Sequence, residues 1–399
     1  MALILVYSVP LWGHTYPLLG VAEELAARGH EVLLHCGENH GKLARDCLGR
    51  SAVAIAALEA LRSGGTPTDW SRCGESMLSY LAVAATEAEN LYPAVHAALA
   101  RRCPRAVLAD ELALGARWAA EQLGIPQVCS YANPPAAPGI GSALGLVREA
   151  QETGADLARL LRRMNSFRRL QGLASDRPYG RSRDDCDPAI VFVCPSLRRQ
   201  DTELPTGHLL VGASLVARDR SHATCGRGDD ETPGAAYVSF GTTFDPGADL
   251  YRVIFGSLAP LKLTVRARIP PSVQDLLVDS GSQNAEIRPW WPQAEVLSQS
   301  NLFVTHGGMG SINESCYFGV PMLIIPQGAD QFRNARRVAE LGAGIALDHP
   351  SPDPSEIRNA AARLLTEPTF RNCSRELGEE LRACGGARSA ADVVEALLL

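Results

Sequence analysis

Short apolar runs alternate along this chain with segments of helical spacing. The first, LILVYSV, shows no polar alternation, the pattern of a strand covered on both faces. PLWGHTYP breaks it. From Pro17 the residues Leu18, Val21, Ala22 and Leu25 recur at helical spacing, with Pro suited to a first turn and Gly29 to a left-handed stop. HEVLLHC reads as the next strand. Strand, helix and strand in that order predict a right-handed crossover within a parallel sheet. The pattern recurs as RAVLAD (105–110), a helix over 112–123 closed by Gly124, and PQVCSY (126–131).

Between these units, residues 60–100 and 134–183 are rich in Ala, Gly and Arg and poorly patterned, as expected of insertions that carry specificity. Residues 217–234, ARDRSHATCGRGDDETPG, are charged, contain Gly and lack large apolar side chains, the composition of a linker. A second series of strand-like runs follows: AAYVSFGTT, LKLTVRA, NLFVTHGG and PMLIIPQG. The expected class is α/β, with two doubly wound Rossmann-like domains facing across a cleft. Residues 1–216 form the first domain, 217–234 the linker and 235–384 the second. Residues 385–399, with the amphipathic SAADVVEALLL, form a last helix that packs back toward the first domain.

Composition narrows the function. Of the 399 residues 46% are hydrophobic and 21% charged, which argues against disorder. No apolar run is long enough to span a bilayer, and the start has no basic n-region, so stable membrane association is not expected and a cytoplasmic location is. The 11 cysteines are scattered without CxxC pairs and read as reduced thiols. A net charge of −6 argues against a generally basic nucleic-acid face, so any bound anion is held by local design.

That design is sought in THGGMGSINE. FVT is a strand end, and a helix starting just after it offers unpaired N–H groups to a phosphate. Gly307, Gly308 and Gly310 let the backbone come close, Ser311 adds a hydroxyl and His306 a ring N–H. The plain alternative is a tight turn capped by Ser311. Gly308-x-Gly310, with Asp330 at a suitable distance, also resembles a nicotinamide fingerprint, but its third glycine position is Asn313 and it lies late in the chain. Upstream, RPWWPQ supplies an indole face for a nucleobase and a Gln for ribose hydroxyls; downstream, Asp330 and Gln331 place a carboxylate beside an amide, a grip for vicinal sugar hydroxyls.

The segment from Trp290 to Gln331, WWPQ…HGGMGSINE…GVP…PQGADQ…N, resembles the donor-binding box of the nucleotide-sugar-dependent glycosyltransferases of the macrolide and antibiotic type, which have the two-domain GT-B fold. GHTYPLLGVAEELAARGHEV is similar to that family's opening. The resemblance implies that Trp290 stacks on the base, that the backbone of Trp291 pairs with its edge, and that Gln293 and Glu314 hold the ribose. It further implies that His306 and the turn through Gly308, Gly310 and Ser311 hold the diphosphate, that Thr242 and Thr243 reach the distal phosphate, and that Asp330 and Gln331 hold the sugar. Plant members carry Trp-Asn where this chain has Met309-Gly310, so an Asn contact is lost.

His14, after the first strand, is the candidate general base, and Asp110, ending RAVLAD, its orienting carboxylate; the resembled family has His and Asp at the matching positions. Trp12, Tyr16 and Tyr131 are candidates to line an acceptor pocket. The implied reaction is an inverting, metal-independent transfer to a hydroxyl of a small hydrophobic natural product such as a polyketide, macrolide or aromatic antibiotic. The nucleotide-sugar serves as co-substrate and no other cofactor is expected. A UDP-hexose is the favoured donor, a dTDP-deoxysugar the second, and a nicotinamide-dependent oxidoreductase the remoter alternative. A monomer or homodimer is expected. Asp185 and Asp187 mimic a DxD metal signature but read as a solvated turn, and the arginines of 159–183 as a solvated helix face.

Overall fold

Thirteen parallel strands, among the described residues, form two sheets. The computed structural model describes residues 1–55, 77–134, 154–174, 188–198, 204, 206–222, 234–243, 245–277 and 285–399. Two units result: one comprises Met1–Val193, Gln200–Val216 and Cys384–Leu399, the other Cys194–Arg199 and Ala217–Ala383.

In the first unit the strands are β1 (Leu3–Tyr7), β2 (Glu31–His35), β3 (Ala54–Ile55), β4 (Ala106–Asp110), β5 (Gln127–Tyr131), β6 (Ala189–Val191) and β7 (His208–Leu210), in the order β3-β2-β1-β4-β5-β6-β7. β1 pairs with β2 at Leu5↔Leu33 and with β4 at Val6↔Leu108, and all four side chains are buried. Helices cover both faces, which is why the run LILVY needs no polar alternation. From β1 the chain moves outward on one side to β3, then returns to lay β4 on the other. The strand order reverses between β1 and β4, and the loops leaving those two strands diverge there.

Three local readings change. The first helix is Trp12–Ala27, so Trp12, His14 and Tyr16 lie in its opening turns and Pro17 inside it. The turn forms upstream of Pro17 because the Leu11 carbonyl accepts from both His14 and Thr15 N–H (3.0 and 2.9 Å), while the Thr15 hydroxyl bonds the Val9 carbonyl at 3.1 Å. Residues 60–100, read as unpatterned, contain most of a long helix, Met77–Arg102. Its buried stripe runs Leu81, Ala84, Ala85, Ala88, Tyr92, Val95 and Leu99; three alanines make it faint to a hydrophobicity reading.

The arginine-rich stretch is only partly a solvated face. On the helix Gly154–Leu170, Arg168 is fully buried, forks onto Glu121 with two bonds of 3.0 Å and stacks on Trp118 at 5.7 Å. Arg163 reaches Glu89 at 2.7 Å. Such a fork satisfies the guanidinium that burial would otherwise leave unpaired. Arg177, Arg181, Arg183, Asp185, Cys186 and Asp187 lie outside the described residues.

The last helix, Ala387–Ala396, joins this first unit. Arg28 bonds Asp392 at 2.6 Å and Glu395 at 2.7 Å, and His30 reaches Glu395 at 2.8 Å. The pairing with His30 and Arg28 holds the Glu395 carboxyl below its ordinary range.

The second unit orders β8 (Ala235–Ser239), β9 (Thr264–Arg268), β10 (Ala285–Arg288), β11 (Leu302–Thr305), β12 (Met322–Ile324) and β13 (Gly344–Ala346) as β10-β9-β8-β11-β12-β13. Here the reversal falls between β8 and β11. One row across its carboxyl edge reads Arg288, Arg268, Ser239, Thr305 and Ile324. Two boundaries differ from the sequence reading. Residues 217–221 of the expected linker are a helix of this unit with Asp219 buried, while 223–233 lie outside the described residues. Cys194–Arg199 also belongs here: the Ser196 carbonyl accepts from Arg337 (2.8 and 2.9 Å) and its N–H donates to Glu380 at 3.0 Å.

Among the described residues no helix is long and apolar enough to cross a membrane. The eight described cysteines are all free.

Gly378 sets how the helix Pro368–Ala383 seats on Met309–Tyr317, since a Cβ there would fall on the Cys316 carbonyl oxygen. Gly378→Ala is expected to destabilise the protein by about 1–3 kcal/mol, the usual range for overpacking, read as a lower midpoint in urea denaturation.

Candidate functional site

Both strand-order reversals collect chemistry. In the first unit β1 leads into the helix bearing His14, and β4 ends at Asp110. His14 Nδ1 lies 2.8 Å from Asp110 Oδ2, with Asp110 buried and the His14 side chain 18% exposed. The other carboxylate oxygen accepts the Leu112 N–H at 3.0 Å, so Asp110 is fixed before it meets the imidazole. A carboxylate accepting at Nδ1 assigns the proton to that nitrogen and leaves the lone pair on Nε2.

The expected aromatic trio divides. Trp12 and Tyr16 lie 5.7 Å apart on one helix, and His40, not anticipated from sequence, stacks on Trp12 at 5.7 Å. Burial lowers the His40 pKa, opposed by a hydrogen bond to the Cys36 backbone, which favours the neutral ring. Tyr131, at the end of β5, instead leans on His208 of β7, 5.4 Å between centroids.

In the second unit His306 follows β11 and turns its ring toward the end of β8. Cβ atoms built at Gly241 and Gly308 would lie 2.8 and 2.6 Å from that ring. Glycine at both positions therefore seats the imidazole, a reason separate from anion approach. Burial pushes the His306 pKa down to about 4, against a hydrogen bond to the Ser239 backbone and helped by the Arg268 charge. The ring is thus neutral at ordinary pH. Gly308 is the N-cap of Met309–Tyr317 and no side chain caps that end, so Ser311, buried at the third helical position, is not the cap. Gly310 occupies the second position, and Thr242 and Thr243 sit exposed in the turn after β8.

The two tryptophans have different environments. Trp291 is buried, donates Nε1–H to the Ala267 carbonyl at 3.0 Å and carries the Arg288 guanidinium over its face at 4.0 Å. Trp290 is half-buried. Its neighbour Gln293 opens the helix Gln293–Ser298 and hydrogen-bonds Glu314. Burial and the nearby Asp219 raise the Glu314 pKa to about 8, with the Gln293 bond opposing. Asp219 is a neighbour that the sequence reading placed in a linker.

Asp330 and Gln331 do not act alike. Asp330 holds the N-cap position of Gln331–Glu340 without capping it; its carboxylate accepts from Asn334 at 2.7 Å. Asn334 also donates to the Gly307 carbonyl at 3.2 Å, tying the turn after β11 to the one after β12. It lies in the quoted motif, yet had no assigned role. Gln331 is buried, and its Oε1 accepts from Gln327 and Gly328 N–H at 2.8 and 3.2 Å. As placed, it shapes its own turn; the amide expected at the sugar is turned inward. Among the described residues no three His, Cys, Asp or Glu side chains are grouped to hold a metal ion.

Residues 269–397 match the family model described as the C-terminal domain of erythromycin biosynthesis protein CIII-like proteins. The chain is 26% identical over 404 residues to the NDP-glycosyltransferase YjiC of Bacillus subtilis (strain 168), covering 98% of this chain and 96% of that one. It is 28% identical over 408 residues to the oleandomycin glycosyltransferase of Streptomyces antibioticus, covering 99% and 90%. The crystal structure of the kitacinnamycin glycotransferase superposes with a TM-score of 0.80 at 27% identity, over 100% of this chain and 99% of that one.

The folded protein holds the Glu314 proton more tightly than the unfolded chain, so stability falls as pH rises from the ordinary glutamate range through about 8. His306, held neutral, acts oppositely, but only between about 4 and its ordinary value near 6.5. Above pH 6.5 the Glu314 effect stands alone of the two. Glu314→Gln is expected to melt progressively higher relative to the parent between pH 6.5 and 9, as measured by thermal melts across that range.

Proposed function

We propose that the chain is a natural-product glycosyltransferase of GT-B fold that moves a sugar from a nucleotide-diphosphate donor to a hydroxyl of a small hydrophobic acceptor, with inversion, a reading supported by the matches of its sequence and fold. The observation that carries this reading is the 2.8 Å pair of His14 with a buried Asp110 that is itself anchored on the Leu112 N–H. An acceptor hydroxyl has a pKa far above neutrality. His14 Nε2 takes its proton as the oxygen attacks the anomeric carbon on the face opposite the departing diphosphate. The bond from that carbon to the phosphate oxygen breaks as the new one forms, and the Asp110 carboxylate stabilises the imidazolium.

On the donor side, Trp290 stacks on the base, the Trp291 backbone meets its edge, and Gln293 and Glu314 take the ribose. A protonated Glu314 can donate to a hydroxyl as well as accept. Thr242, Thr243, Ser311 and the uncapped N–H groups from Met309 onward face the diphosphate. Asp330 takes the sugar. Trp12, Tyr16 and His40 offer an apolar wall to the acceptor. The reaction requires His14 and the donor's anomeric carbon to meet during turnover.

A UDP-hexose is the favoured donor because Asp330 needs a ring hydroxyl to bind. The inward Gln331 amide supports a second reading, since a donor with fewer hydroxyls, such as a dTDP-deoxysugar, demands less of this turn.

Incubation with UDP-glucose and with dTDP-sugars, following released nucleoside diphosphate, separates the two donors; nicotinamide binding without sugar-nucleotide turnover would mark an oxidoreductase. His14→Ala is expected to slow transfer about 10²–10⁴-fold with UDP affinity unchanged, and Asp110→Asn to slow it in the same direction. An unchanged rate in His14→Ala would sink the proposed base.

A further inference from the structure

A nucleoside diphosphate brings at least two negative charges, yet the groups so far assigned to it are neutral: the His306 ring, three hydroxyls and backbone N–H groups. Arg268 lies at the same edge. It is the last residue of β9, paired in register with Ser239, which in turn pairs with Thr305 just before His306. Its Nε donates to the Pro289 carbonyl at 3.2 Å and its Nη1 to the Gly241 carbonyl. One guanidinium thus joins the turn that carries Thr242 and Thr243 to the loop that carries Trp290. Nη2 makes no hydrogen bond among the described residues. The two neighbouring arginines are occupied elsewhere: Arg288 lies on the Trp291 face at 4.0 Å, and Arg266 donates to Gln299 at 2.8 Å.

We infer that Arg268 supplies the positive charge of the donor site, presenting Nη2 to the diphosphate while Nε and Nη1 hold the phosphate turn and the base loop in register. This rests on the donor site proposed above. The fork explains why arginine stands here. Two carbonyls and an anion need donors in three fixed directions in one plane, which a lysine ammonium on its flexible stem does not provide. It also gives His306 and Arg268 separate tasks, the neutral ring filling space between Gly241 and Gly308 and the guanidinium carrying the charge.

The test is calorimetric titration of the parent protein, Arg268→Lys and Arg268→Gln with UDP and with uridine, repeated with dTDP and thymidine, each variant first checked for an unchanged fold by circular dichroism. Arg268→Gln is expected to weaken nucleoside diphosphate binding about tenfold or more, with nucleoside affinity held within about twofold and a shallower salt dependence. Arg268→Lys should recover part of the loss, and shows the same selective deficit if the glutamine variant does not fold. Equal weakening of nucleoside and diphosphate would reduce Arg268 to a brace between loops and overturn the inference, as would an unchanged diphosphate affinity. A parent protein that binds neither diphosphate overturns the donor-site reading itself, and this inference with it.

Discussion

Parallel strands all finish on one edge of their sheet, and an edge that must change direction leaves a gap where two loops part. That constraint organises each unit. In the first, the gap lies between β1 and β4, and the residues leaving those strands are the ones that bring His14 to Asp110. In the second it lies between β8 and β11, and His306 crosses it to rest against Gly241. The candidate residues stand just beyond the paired strand ends, where the loops part and side chains can converge, while the apolar strands beneath fix the positions.

Charge is distributed sparingly in the second unit. Burial makes His306 a poor base and Glu314 a poor acid, so the ring loses the partial charge an ordinary imidazole has near neutral pH and the carboxyl much of the full charge an ordinary glutamate has. Neutral groups tolerate a dry pocket at lower cost than ions. Asp219 and Gln293 set the state of Glu314 from opposite directions, one disfavouring its charge and the other favouring it. Ribose recognition in this reading depends on a short helix in what looked like a linker.

Much of the architecture was legible because buried parallel strands write themselves as unbroken apolar runs: LILVY, AVLAD and LFVT were each recognisable alone. The His14 and Asp110 pair was legible only as two strand ends on one sheet, since 96 residues separate them. What escaped did so for identifiable reasons. Pro17 reads as a helix start, but hydrogen bonds to Leu11 and Val9 nucleate the turn earlier. An alanine stripe conceals the helix Met77–Arg102, and Arg168 reads as solvated until Glu121 is seen across from it. The inward amide of Gln331 depends on backbone N–H groups of its own turn, which no side-chain motif announces.

The return of Cys384–Leu399 to the first unit has a consequence for protein engineering. A hybrid joined near residue 216, with its back half taken from a relative, would exchange the Asp392 and Glu395 that meet Arg28 and His30 here for whatever the foreign tail carries. Grafts that exchange one unit for a relative's need two crossover points, so that the final helix travels with the front half of the gene.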